Sequence, residues 1–398
     1  MKLKSIGVAA IAAILFLCSF RSAAVTPSAR VSLLTCSAGE ELYSTFGHTA
    51  LRFTDTINGK WVDWVFNYGT FQRTATPSEF YLNFARGRMN YILDVQTFGE
   101  FQYMYITSGR GIFENELLLT YEQKTKLFEL LMENAKPENK VFAYDFFYDN
   151  CATRVRDILK KAIPELDFGK EQQFAHRPSL RYDINFYMQS QPWATFGISL
   201  VLGLPCDRIP DDRVIEFLPD SLQSNMKRWT INGQKLMGRT EELLPVDDSM
   251  FEATEGGFTP WKLTIISSII FGLFSVYLWM KKRAWYFTER LFFGIIGTLG
   301  LVLFLMWFAT DHKATAGNMN LLWANPILLV FAFVSFQRNR AFWKYFVPIQ
   351  ILASTYVLLA ILVPAVSPEG FPREILPWLM VELLLLLRYH KLRKASQA

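Results

Sequence analysis

The chain has 398 residues, room for two sizeable units, and a formal net charge of +5. That charge does not argue for nucleic acid as a partner, because many of the basic residues flank long apolar runs. Charges are scattered among apolar residues up to about Glu255, and long apolar runs dominate from Trp261 onward. This division excludes a single soluble domain.

In chain order, Lys2 and Lys4, the apolar stretch from Ile6 to Phe20 and the small residues Ser22-Ala23-Ala24 predict a signal peptide over residues 1–24, with the mature chain starting near Val25. Val31–Thr35 reads as a strand, and Glu40–Tyr43 as the opening of a short helix. His48–Phe53 is a further strand. Asn58-Gly59 predicts a tight hairpin turn, with Lys60–Tyr68 as the return strand. Tyr91–Thr97 is extended, and a helix runs from Thr120 through Asn134. Tyr144–Asn150 leads into Cys151–Lys160, whose Val155, Ile158 and Leu159 fall on one helical face with Ile163. The predicted soluble domain is 25–255, joined by a linker at 256–260 (Gly256-Gly257, Pro260) to a membrane domain at 261–398.

Five apolar runs fill that domain: Trp261–Met280, Leu291–Thr310, Leu321–Phe336, Phe342–Val363 and Ile375–Leu387. The connections after the first, third and fifth are rich in Lys and Arg, and the other two carry only Lys313 and Arg373. Alternation of this kind predicts five crossings with residues 25–255 outside and the C-terminus inside. Tryptophans agree, with Trp261, Trp307, Trp323 and Trp378 at outer ends. Glu382 lies within the fifth run, where an ionisable group is costly. The outer loop Thr310–Asn320 is dense in polar groups.

With the signal peptide removed, Cys36, Cys151 and Cys206 remain, and three thiols cannot all pair within one chain. Cys151 follows Asn150 at a predicted helix N-terminus, where backbone N–H groups and the positive dipole end favour thiolate. Arg154 and Arg156 add positive charge nearby. A thiol nucleophile needs a base, and of the two histidines in the soluble half, His48 opens a strand whereas His176 reads as a loop residue. Asn67, on the return strand, and Asp63 are the alternatives for a group that orients the imidazole.

The segments Leu33–Ser37, Tyr43–Arg52, Phe66–Phe71 and Tyr148–Arg154 resemble the Lnb family, the lipoprotein N-acyltransferases. Phe217-Leu218-Pro219-Asp220 is similar too, as is Asn318–Pro326 in the membrane half. A more distant similarity is to permuted papain-like enzymes of the NlpC and lecithin:retinol acyltransferase type, in which a His strand precedes an Asn-Cys helix. The resemblance implies an α+β, permuted papain-like domain followed by an all-α five-helix transmembrane bundle in the cytoplasmic membrane, with the catalytic domain periplasmic. It implies a Cys–His acyltransferase with Cys151 as nucleophile and His48 as base, and Asn67 is the candidate taken for the third member from its place on the return strand. Asn150, Arg154, His312, Asn318 and Asn320 are expected to bind substrate. Acyl donor and acceptor come from the family: a phospholipid and the N-terminal amine of a lipoprotein. Cys36 is left as either a core residue or a disulfide partner of Cys206. No cofactor or metal is expected, since no ligand cluster has metal-binding spacing. A rival that shares the dyad is a membrane-anchored cysteine hydrolase acting on peptidoglycan peptides or lipid esters; a second, a non-catalytic membrane-assembly module, requires Cys151 to be dispensable.

Overall fold

A computed structural model describes residues 25–71, 76–170, 178–246, 257–281, 287–333, 340–366 and 371–397. The predicted signal peptide, His176 and Gly256 of the predicted linker lie outside them. In chain order the first elements are β1 (Arg30–Cys36), β2 (His48–Ile57), β3 (Lys60–Phe71), α1 (Pro77–Arg86), β4 (Asn90–Thr97), α2 (Phe98–Thr107), β5 (Ile112–Leu117) and α3 (Tyr121–Asn134). Next come β6 (Val141–Ala143), α4 (Cys151–Ala162), β7 (Leu166–Asp167), α5 (Leu180–Tyr187), α6 (Pro192–Val201), α7 (Asp212–Ile215) and α8 (Pro219–Met226). The chain continues with β8 (Thr230–Ile231), β9 (Gln234–Lys235), β10 (Met237–Leu244), α9 (Pro260–Met280) and α10 (Phe287–Phe308). It ends with α11 (Leu329–Phe333), α12 (Arg340–Val366) and α13 (Leu376–Gln397).

The chain forms two compact units, and the border does not follow the change of composition at Glu255. The first comprises Met1–Thr74, Met89–Gln173 and Asp211–Met250. Ala75–Arg88 and Phe174–Pro210, expected in the soluble domain, belong with Phe251–Ala398 in the second.

The first unit is built on a seven-stranded antiparallel sheet of order β10-β5-β1-β2-β3-β4-β6. The β2–β3 hairpin turns on Asn58 and Gly59, at φ 51° and 75°, as the Asn-Gly pair requires. Side chains alternate across the sheet. Leu33, Leu51, Phe53 and Phe66 pack on one face against Leu127, Phe128 and Leu131 of α3 and Val155, Ile158 and Leu159 of α4. On the other face Leu34, Cys36, Ala50, Val65 and Ile112 pack against Phe101 and Tyr105 of α2. With both faces covered, β1 is buried along nearly its whole length. The predicted helix at Glu40–Tyr43 is absent: that stretch is a series of turns, closed by Ser44 N–H donating to Glu41 O (2.8 Å) and Gly47 N–H to Ser44 O (3.0 Å). Gly47 then permits the turn into β2 at φ 77°.

In the second unit, α9 and α10 have 21 and 22 residues and are long and apolar enough to cross a membrane. The third predicted run is not one continuous helix: short 3₁₀ turns at Met319–Leu322 and Pro326–Leu328 precede α11. Gly297 and Gly300 let α10 lie against this irregular segment, since a Cβ at either would strike Leu329 N or Ala324 O. The helices of the fourth and fifth runs, α12 and α13, have 27 and 22 residues. Arg388, expected in a basic loop, is instead buried within α13 and ion-paired with the buried Glu289 of α10. Trp323, expected at the membrane surface, is fully buried and donates from Nε1 to Asn320 Oδ1 (2.9 Å). Glu382 is buried too, and neither of its oxygens has a hydrogen-bond partner among the described residues.

Candidate active site

Cys151 is the first residue of α4. Asn150 caps that helix: its Oδ1 accepts from Ala152 N–H and Thr153 N–H (both 3.0 Å), and Thr153 Oγ1 accepts from Asn150 N–H (2.8 Å). The amide of Asn150 donates to Phe146 O (3.0 Å) and Phe217 O (2.8 Å). Asn150 is therefore buried and fully bonded; it fixes where the helix starts, and with it the thiol, and has no group left for substrate. Arg154 is likewise engaged. It makes a two-pronged pair with Asp149 (2.6 and 2.8 Å) and lies 3.7 Å above the Phe142 ring.

His48 opens β2 directly opposite Cys36 of β1. Its Nε2 lies 2.7 Å from Asn67 Oδ1. The amide oxygen can only accept, so Nε2 carries the proton and Nδ1 presents a lone pair. Asp63, the alternative partner, is occupied by Arg52 in a bidentate pair (2.8 and 2.7 Å). β3 carries a bulge between Tyr68 and Thr70, leaving Gly69 without a partner in β4. The imidazole lies close against that glycine, nearest at Cε1. A Cβ there would fall 3.2 Å from His48 Nδ1 and from Asn67 Oδ1, and closer still to His48 Cε1.

Thr49, the residue after His48, directs its backbone N–H to the Cys151 thiol, together with the N–H groups of Ala152 and Cys151. This contact brings the start of α4 to the start of β2, at the residue next to His48. Burial nonetheless outweighs these donors and raises the Cys151 thiol above its ordinary value. Burial also pushes His48 down to about 4, against the opposing bond to Asn67. The helix terminus thus does not hold a standing thiolate, as its position in the sequence suggested. Thiol and imidazole therefore both rest neutral. Cys36 and Cys206, both buried and driven up to about 12 by burial, are free thiols rather than a disulfide.

The remaining expected substrate residues lie in the second unit. Asn318 and Asn320 are buried, and their amides donate to carbonyls at the end of α6: Asn318 to Leu200 O (2.7 Å) and Asn320 to Leu200 O (3.1 Å). This is how the loop and α6 are joined, and it accounts for both side chains. His312 is spaced 3.0 Å from Phe84 O, and Asp311 pairs with Arg88 at 2.7 Å, so the same loop also holds α1. The structure brings together Cys151, His48 and Asn67 and assigns the other five to structural bonds. Gly69 escaped the sequence reading, although a glycine inside a strand signals a bulge or a close approach.

Two family models match the chain. The Lnb N-terminal periplasmic domain covers residues 18–186 and the Lnb transmembrane domain residues 252–395, together most of its length. The chain belongs to the Lnb family. It is a membrane protein with a periplasmic region and a transmembrane domain, in keeping with the two long apolar helices. No curated protein and no solved structure matches it. Within the Lnb periplasmic match fall Cys151, His48, Asn67 and Gly69, and within the transmembrane match the loop that carries His312, Asn318 and Asn320.

Proposed function

We propose that this protein is a cysteine acyltransferase that moves a fatty acyl chain from a phospholipid to the N-terminal amine of a lipoprotein. The observation that carries the reading is the His48 Nε2–Asn67 Oδ1 bond of 2.7 Å beside a thiol that starts a helix. Together they supply a nucleophile, a base of fixed tautomer and the group that fixes it. In the first half-reaction His48 Nδ1 takes the proton from Cys151 Sγ as the sulfur attacks the ester carbonyl carbon. Backbone N–H groups at the start of α4 stabilise the oxyanion. The C–O bond to glycerol breaks, the imidazolium returns the proton to that oxygen, and lysophospholipid leaves a thioester. In the second half-reaction the lipoprotein amine attacks the thioester and gives its proton to Nδ1. The C–S bond breaks, and the proton returns to sulfur.

Membership of the Lnb family and a transmembrane domain favour membrane-resident substrates over peptidoglycan peptides. Both substrates are then held by their own lipid chains at the surface where the reaction occurs, and water is kept from the thioester. Five crossings with the C-terminus in the cytoplasm complete the proposal. The test is the purified full-length protein with phospholipid and a diacylated lipopeptide. N-acylated lipopeptide and lysophospholipid are expected in near-equal amounts, and neither from Cys151→Ala or His48→Ala. Free fatty acid and lysolipid without N-acylated product would show a hydrolase instead.

A further inference from the structure

Arg110 stands two residues before β5, outside every motif that pointed to the site. Its side chain is held from several sides. Nε donates to Ser37 O (2.9 Å), and the guanidinium carbon lies 4.6 Å over the Tyr105 ring. Ser37 also clasps the backbone beside it, with Ser37 N–H donating to Gly111 O (3.0 Å) and Gly111 N–H to Ser37 Oγ (2.8 Å). The loop after β1 closes over the stem so tightly that a Cβ on Gly39 would lie 2.8 Å from Arg110 Cδ. Yet Nη2, buried, has no acceptor among the described residues.

The surroundings of that unpaired edge are the candidate catalytic groups. Tyr105, under the guanidinium, shares a hydrogen bond with Cys36, and Cys36 is the register partner of His48. The positive charge of Arg110 reaches His48 and Cys151 alike. A buried guanidinium N–H without an acceptor is costly, and a fork held rigid by packing while one edge stays unpaired matches the oxygens of an anion. The carbonyl oxygen of the reacting ester already has the backbone N–H groups around the thiol. The guanidinium is left for an anion elsewhere in the same molecule.

We propose that Arg110 binds the phosphodiester of the acyl donor, so that the site selects glycerophospholipids over neutral acylglycerols. This rests on the acyltransferase reading, but its test does not need the transfer reaction. Full-length protein in detergent is alkylated at Cys151 with anionic iodoacetate and with neutral iodoacetamide, and the two rates are compared. An anion site beside the thiol favours iodoacetate, and Arg110→Gln should lower the iodoacetate-to-iodoacetamide ratio about tenfold. Arg110→Lys, with the charge but not the fork, should fall between. Dihexanoyl phosphatidylglycerol should protect Cys151 at far lower concentration than dihexanoylglycerol or inorganic phosphate. Equal slowing of both reagents in Arg110→Gln would reduce the residue to a general influence on the thiol and overturn the proposal. So would an unchanged ratio, or protection by dihexanoylglycerol or phosphate as effective as by the phospholipid. If Arg110→Gln exposes Cys36 to alkylation and so has lost its fold, the Arg110→Lys comparison decides by the same criteria. A normal ratio effect without N-acylated product would instead count against the acyltransferase reading alone.

Discussion

Gly69→Ala introduces one methyl group at a residue that takes no part in the chemistry. The built Cβ lies 3.2 Å from His48 Nδ1 and Asn67 Oδ1 and nearer still to Cε1, where carbon contacts settle at about 3.5–4.0 Å. The imidazole must therefore retreat by about 1 Å. The 2.7 Å bond to Asn67 cannot survive that shift unaltered. Overpacking of this kind costs about 1–3 kcal/mol of stability, which a domain of ordinary stability survives. Displacing a catalytic base by about 1 Å costs roughly 100-fold in rate. The assay pairs two readouts on the full-length protein in detergent. N-acylation of a diacylated lipopeptide should fall about 100-fold, while the thermal transition shifts by only a few degrees. Transfer at the wild-type rate would refute the placement of His48 against Gly69 and the role given to its orientation.

Acid should destabilise the protein through His48. Its folded value is about 4 against 6.5 for the unfolded side chain, so the unfolded state binds the extra proton and stability falls as pH drops from 6.5 towards 4, by about 3 kcal/mol in total. Melting curves of wild type and His48→Gln should diverge over that window and run parallel above pH 7; parallel curves throughout would remove the buried neutral imidazole. Asn150→Ala strips the α4 cap and leaves Phe146 O and Phe217 O unpaired, an expected loss of about 2–4 kcal/mol, and a denaturation midpoint equal to wild type would contradict it. Asn320→Ala should lower the melting temperature without changing the rate at which Cys151 is alkylated, whereas a loss of transfer at unchanged stability would restore Asn320 to the substrate site. For topology, an alkaline phosphatase fusion within 316–320 should be active and one after Ala398 inactive, and activity at the C-terminus would rule out five crossings.

The features legible in the sequence are those that local chemistry dictates. Asn58-Gly59 specified a hairpin because only such a pair accepts positive φ at both positions. Asn150 before an amphipathic stretch marked the start of α4, and the hairpin brought Asn67 to the side of His48. What stayed hidden depends on packing between distant segments. A polar loop such as 310–320 reads the same whether its amides face water or, as here, bind the carbonyls of α6. The protonation balance at Cys151 is hidden from the sequence for a related reason. Helix-terminal N–H groups are visible in the sequence, but the burial that outweighs them is a product of the whole fold. Arg110 gave no signal because its importance lies in one unpaired nitrogen among partners from two separate segments.

The most direct measurement is the intact mass of the protein after incubation with a phospholipid of defined chains and no acceptor. A single added acyl group on Cys151, removed by hydroxylamine and by a diacylated lipopeptide, and absent from Cys151→Ala, is the predicted result. An unmodified Cys151 in active protein, or an acyl group carried on another residue, would contradict the account.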